Sequence, residues 1–259
     1  MFTRLTKPFF LFLAAVALAS CGGGGDGGGG NNDTGPCSAL KIAGGEGCGS
    51  PPSALVAVVR GRFNCTGSFI TTRHVITAAH CVDAPGQVNV ETPTFIAAVQ
   101  RVQIHPQYDP SSFDSMYDLA VLTLASSAPV STVPIIQSVP VEEGNQVVAY
   151  GFGLDQNGLL WQDRFIEGED ALKATYLDVT SVSDFSISTI SDGSGDTCGG
   201  DSGGPILLQA GGSYGLVALV RSGPVDCVEY QPYASQNTNL QVPSILNFVL
   251  SAAPGTQVR

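Results

Sequence analysis

One serine in the chain sits inside a run that is half glycine, Cys198-Gly199-Gly200-Asp201-Ser202-Gly203-Gly204-Pro205. A serine hydroxyl is a useful nucleophile only when a base takes its proton and main-chain N–H groups face the oxyanion that develops. Glycines at 200, 203 and 204 let the backbone come close to a substrate and adopt dihedrals that other residues avoid. Without a base, the same run would read as a Gly-rich hairpin turn.

Two further segments supply what that chemistry requires. Thr77-Ala78-Ala79-His80-Cys81 offers an imidazole, although a His beside a Cys also fits simple packing next to a disulfide. Tyr117-Asp118-Leu119-Ala120-Val121-Leu122 brings a carboxylate to the start of an apolar run, where it is costly unless paired. Asp109 and Asp114 are nearby rivals, but both fall in a polar stretch. The serine run also fits Gly-x-Ser-x-Gly, the strand-to-helix elbow of α/β-hydrolases, but that fold places its His after its Ser. His74, His80 and His105 all precede Ser202, so the elbow is excluded.

The elements that must position these groups read as strands. Residues 55–59, 65–70, 75–77, 95–104, 119–124, 146–150, 206–208 and 216–220 are short and rich in β-branched or apolar residues, with Gly, Pro, Asn and Ser clusters between them. Many short strands separated by turns predict an all-β sandwich or barrel. One helix is expected near the end, where Ile245, Leu246, Phe248 and Val249 share a face after Pro243 and Ser244. The 43% hydrophobic content supports a substantial core.

The start of the chain has a different character. Arg4 and Lys7 precede an apolar stretch from residue 9 to 19, too short for a comfortable membrane span and flanked like a signal peptide. Leu18-Ala19-Ser20-Cys21 resembles the lipobox of bacterial lipoproteins, in which the Cys becomes the lipidated first residue. Residues 22–30 are glycine except for Asp26. They lack the Gly-Lys-Ser/Thr ending and preceding strand of a phosphate-binding loop, so they read as a flexible linker. From Cys21 to Cys37 such a coil reaches on the order of 20–25 Å. Loss of residues 1–20 removes two basic groups and takes the formal charge from −11 to −13. Such a surface repels nucleic acid and offers no polybasic membrane patch, so membrane attachment would come from the lipid at Cys21.

Seven cysteines stand at 21, 37, 48, 65, 81, 198 and 227. With Cys21 lipidated, an even number remains in an exported chain, which suggests disulfides, with fifteen pairings open to six cysteines. No Cys-x-x-Cys pair exists and the histidines are scattered, so neither a metal nor another cofactor is expected.

Taken in order, His80, Asp118 and Ser202 with their local contexts resemble the trypsin/chymotrypsin family of serine proteases. The resemblance runs from about residue 42 to the C-terminus. It includes Cys65-Thr66-Gly67-Ser68-Phe69-Ile70, His105-Pro106-Gln107-Tyr108 and Tyr150-Gly151-Phe152-Gly153. It implies two six-stranded antiparallel β-barrels with the active site in the cleft between them and a short C-terminal helix. His80 would be the base, Asp118 would fix its tautomer, and the N–H groups of Gly200 and Ser202 would form the oxyanion hole. His74 and His105 would be structural. The pairs Cys65–Cys81 and Cys198–Cys227 follow from the same resemblance, leaving Cys37 and Cys48 for each other.

The resemblance also implies a zymogen. Lys41-Ile42-Ala43-Gly44-Gly45 is similar to the family's activation site, where cleavage would free the Ile42 amine to pair with Asp201. A Cys37–Cys48 bond would straddle that cut and keep the anchored prosegment attached. Asp196, six residues before Ser202, would lie at the floor of the specificity pocket and pair with substrate Arg or Lys. Two segments depart from the family pattern: no Trp stands within 218–223, and 230–239 lacks the usual Gly-Val-Tyr-Thr.

The expected organisation is a signal peptide over 1–20, a lipidated Gly-rich linker and prosegment over 21–41, and a peptidase domain over 42–259. Within the last, the first barrel spans about 42–133, the second about 134–242, and the helix about 243–252. The expected protein is an exported lipoprotein of a bacterial cell envelope, with the outer membrane favoured because Gly22 is no Asp-type retention signal, or an extracellular one. Protein or peptide substrates and the membrane are its expected partners. The rival functions are a non-catalytic binding module on the same fold and a protease with a small apolar preference.

Overall fold

The computed structural model describes residues 54–112, 116–154, 162, 172–191, 195–223 and 234–259. The expectations for Cys21, Cys37, Lys41, Ile42, Cys48 and Cys227 lie outside these residues.

Twelve strands close into two barrels. The first contains β1 (Leu55–Arg60), β2 (Phe63–Thr71), β3 (His74–Thr77), β4 (Asn89–Thr92), β5 (Phe95–Ile104) and β6 (Ala120–Leu124), in the order β1-β2-β3-β6-β5-β4. The second contains β7 (Gln146–Gly151), β8 (Lys173–Val182), β9 (Ser186–Ser191), β10 (Pro205–Ala210), β11 (Ser213–Ser222) and β12 (Ser235–Asn239), in the order β10-β11-β12-β9-β8-β7. Every neighbouring pair is antiparallel. The expected pair of six-stranded barrels is therefore the observed architecture.

Alternation along the strands explains why several read as unbroken apolar runs. On β1, Val56 and Val58 fill the first barrel, while Leu55 and Ala57 face a second cluster shared with the other barrel. On β6, Ala120, Leu122 and Leu124 point inward and Val121 points to the shared cluster. Successive side chains leave opposite faces of a strand, so a strand buried on both faces needs apolar residues at every position. The second barrel has its own core of Val147, Leu177, Val179, Ile187, Ile206 and Val217. Between the barrels lies the shared cluster, which includes Ile70, Ile76, Tyr150, Leu207 and Leu216.

Helix α1 (Pro243–Ala252) starts with Pro at its first turn, where the missing N–H costs nothing. It buries Ile245 and Val249 in the shared cluster. His105 is 4% exposed, stacked on Tyr117 at 4.6 Å and met edge-on by Phe248 of α1 at 4.8 Å. Its Nδ1 accepts from the Gln107 N–H, and burial lowers its pKa. This neutral, packed ring anchors the segment before Asp118 to the helix. His74 closes the β2–β3 hairpin through a 2.8 Å bond between Nδ1 and Thr71 Oγ1. The chain's end pairs beside Ile135, with Gln137 and Ser138 donating to the Arg259 carbonyl. No helix among the described residues is long and apolar enough to cross a membrane.

Candidate active site

His80 sits on a single 3-10 turn, Ala79–Cys81, directly after β3. Asp118 precedes β6, the strand paired with β3, so the register of these two strands brings the two residues together. Asp118 is 3% exposed, and both its oxygens are used. Oδ1 accepts the His80 main-chain N–H at 2.9 Å, and Oδ2 accepts from the ring Nδ1 at 2.6 Å. The carboxylate thus fixes both the turn and the imidazole, with the proton on Nδ1 and Nε2 left as the basic nitrogen. The His80 side chain remains 38% exposed. From the second barrel, Thr238 Oγ1 on β12 donates to the Asp118 carbonyl at 3.2 Å.

The turn is stapled by the Cys65–Cys81 disulfide, whose Cα atoms are 6.2 Å apart. Cys81 Sγ lies 3.8 Å from the Ser202 carbonyl oxygen. This is a packing contact, since a disulfide sulfur carries no proton. The sulfurs and the His80 imidazole cluster within 4.8 Å, but oxidised sulfurs are not the thiolates that bind metal. Cys198 is also disulfide-bonded.

The serine loop 198–204 is held from both barrels. Thr66, fully buried on β2, donates its N–H to the Ser202 carbonyl at 2.8 Å and its hydroxyl to the Gly200 carbonyl at 3.0 Å. The same hydroxyl accepts from the Phe152 N–H at 2.9 Å. Gly203, at φ +78°, crosses so close to the first barrel that a Cβ would stand 2.2 Å from Thr77 Oγ1. Nothing but glycine fits there. The N–H groups of Asp201, Gly203 and Gly204 donate to the carbonyls of Cys198, Val220 and Asp201. Those of Gly200 and Ser202 have no such partner among the described residues. Two open donors flanking one committed donor, beside a serine, are the kind of arrangement that oxyanion stabilisation requires. No hydrogen bond joins His80 to the Ser202 hydroxyl among the described contacts, a bond that often tightens only around substrate.

Asp201 is held by main-chain donors on both of its oxygens. Its Oδ1 accepts from the Gly153 N–H at 2.9 Å and its Oδ2 from the Cys198 N–H at 2.7 Å. A Cβ at Gly151 would fall 1.7 Å from Asp201 Oδ1, so the Tyr150-Gly151-Phe152-Gly153 run is shaped around this carboxylate.

Asp196 lies near the end of β12. Its Oδ1 accepts from the Thr197 N–H at 2.7 Å and from Ser235 Oγ at 3.4 Å. Its Oδ2 is buried without a donor, and desolvation raises its pKa. Thr66, Ser235 and Thr238 play parts that sequence reading did not assign.

Comparisons with known proteins point to one family. The family model described as Trypsin matches residues 42–235. Trypsin 5G1 of Aedes aegypti is 31% identical over 173 residues, covering 55% of this chain and 60% of that protein. Serine protease Hayan of Drosophila melanogaster is 29% identical over 198 residues, covering 62% of this chain but 31% of that protein. The chain thus spans less than two thirds of the length of these two relatives. A trypsin of Saccharopolyspora erythraea is 27% identical over 191 residues, covering 65% of this chain and 82% of that protein. Among solved structures, neuropsin, a serine protease expressed in mouse brain, superposes with a TM-score of 0.61 at 20% identity. The match covers 77% of this chain and 95% of that one, a likeness of fold.

Proposed function

The chain belongs to the trypsin family of serine proteases, and from that premise we propose that it is a serine endopeptidase acting through an acyl-enzyme, cutting after Lys or Arg. The observation that carries this reading is the His80–Asp118 couple, bonded at 2.6 Å, beside the open N–H groups of Gly200 and Ser202. His80 Nε2 takes the Ser202 proton as Oγ attacks the scissile carbonyl, then gives it to the departing amine. Asp118 holds the tautomer and stabilises the imidazolium. The two N–H groups take the oxyanion, each worth about 3–4 kcal/mol of barrier. Water repeats the sequence to release the acid.

The preference for a basic residue rests on Asp196 Oδ2, an acceptor buried without a donor. A substrate cation would relieve that desolvation, whereas an apolar side chain would leave it in place. Substrates are accordingly proteins or peptides with exposed Lys or Arg.

The sequence supports a precursor form. Cleavage after Lys41 would supply the Ile42 amine to Asp201, whose carboxylate also takes the Gly153 and Cys198 N–H groups. Export, lipidation at Cys21 and a Cys37–Cys48 tether belong to the same proposal.

The test is labelling with a fluorophosphonate, followed by peptide-library profiling of the processed protein. Modification at Ser202 and cleavage after Lys or Arg are expected, with Asp196→Ser abolishing that preference. A processed protein that takes no label is a binding module instead. Cleavage after small apolar residues, undiminished in Asp196→Ser, overturns the specificity reading alone.

A further inference from the structure

Strand β12 reads Ser-Gln-Asn-Thr-Asn, and Ser235 and Asn237 leave it on the same face. Both are fully buried. Ser235 Oγ lies 3.4 Å from Asp196 Oδ1 and 3.1 Å from Thr197 Oγ1. Facing them is Gly223, just past the end of β11. A Cβ there would stand 2.8 Å from Thr197 Oγ1 and 3.1 Å from Ser235 Oγ. Two hydroxyls therefore fill the space up to the glycine wall.

The acceptors are as restricted as the space. Thr197 N–H and Ser235 Oγ already occupy Asp196 Oδ1, so this carboxylate offers an incoming cation only Oδ2. Asn237 Nδ2 donates to the Ile187 carbonyl and to Thr189 Oγ1, both at 2.9 Å. With both amide hydrogens committed, Asn237 Oδ1 is a second acceptor without a donor.

We propose that Ser235 makes the pocket selective for lysine over arginine, by narrowing the passage against Gly223 and by blocking the second oxygen of Asp196. This rests on Asp196 being the group that recognises the substrate cation. A guanidinium is a flat fork that gains most from two parallel bonds to one carboxylate. With Oδ1 taken, that arrangement is lost. An ammonium is a single nitrogen on a slim chain whose N–H groups radiate to separate acceptors, and it asks for the smaller displacement of Gly223. Lys41, at the expected activation site, suits such a pocket.

The test compares kcat/KM for two peptides that differ only by Lys or Arg before the scissile bond. It uses the full processed protein, with active sites titrated by a fluorophosphonate so that any misfolded fraction drops out. The wild-type protein is expected to favour Lys by about tenfold or more, within the range that small steric and polar differences in a pocket produce. Ser235→Gly is expected to raise Arg relative to Lys by about tenfold, and Ser235→Ala, which keeps a carbon in the passage, by less. Equal cleavage of the two peptides by the wild type, or a ratio unmoved in Ser235→Gly, overturns this inference and leaves the basic-residue reading standing. Cleavage of neither peptide by titrated protein overturns both.

Discussion

Thr66 has one hydroxyl, and it serves both barrels. It donates to the Gly200 carbonyl, which orients the peptide unit next to one open N–H, and it accepts from Phe152 across the interface. Replacing it with the isosteric Val removes the donor to the Gly200 carbonyl and the acceptor of the Phe152 N–H, each loss costing about 1–3 kcal/mol. Under the proposed mechanism, Thr66→Val is expected to lower kcat by about 10- to 100-fold with a smaller change in KM, because the donors it positions would bind the transition state more than the substrate. Thr66→Ser, which keeps the hydroxyl, should recover most of the rate; steady-state kinetics on the two variants checks both. The pairing of His80 with Asp118 was legible because their types and contexts are chemically distinctive. Thr66 and Ser235 were not, because a Thr or Ser in a strand has the same signature whether its hydroxyl meets water or a buried carbonyl.

At the level of elements, the base depends on a three-residue turn with no capping side chain. What secures it is the Asp118 bond to the His80 N–H and the disulfide that returns Cys81 to β2. A cross-link spanning 16 residues stabilises by about 3 kcal/mol in the loop-entropy account. Removing it as Cys65→Ala with Cys81→Ala is expected to lower Tm by about 6–12 °C, at about 2–4 °C per kcal/mol for a domain of this size. Scanning calorimetry measures it. The apolar strands, both ends of the helix and the fold class were readable, since burial on one or two faces leaves a pattern. Four strands escaped. β4 is four residues of Asn-Val-Glu-Thr, β9 is half serine, and β12 has no apolar residue at all. β8 scatters Ala174, Leu177, Val179 and Val182 among charged and hydroxylated residues without a regular period. β12 holds its place through polar bonds, including Asn237 to Ile187 and Thr189 and Asn239 to Ser183, which hydrophobic patterning does not register.

Across the whole molecule, the two barrels share one apolar cluster with α1, so the walls of the cleft are fixed to a common core. Under the proposed activation, the chain cut after Lys41 keeps its prosegment only through Cys37–Cys48. Intact mass without reductant should therefore equal the full mature chain plus one water, and reductant should release a short lipid-bearing fragment ending at Lys41. Release without reductant overturns the tether. The bonds from Thr66 to Ser202 and Gly200 join positions more than 130 residues apart. Contacts of such sequence separation carry a high loop-closure cost and form late in folding. Until both barrels are formed, the loop that carries Ser202 lacks the Thr66 bonds that hold its carbonyls. Under the proposed function a half-finished copy is therefore chemically silent, and the ability to cut arrives only with the completed shape.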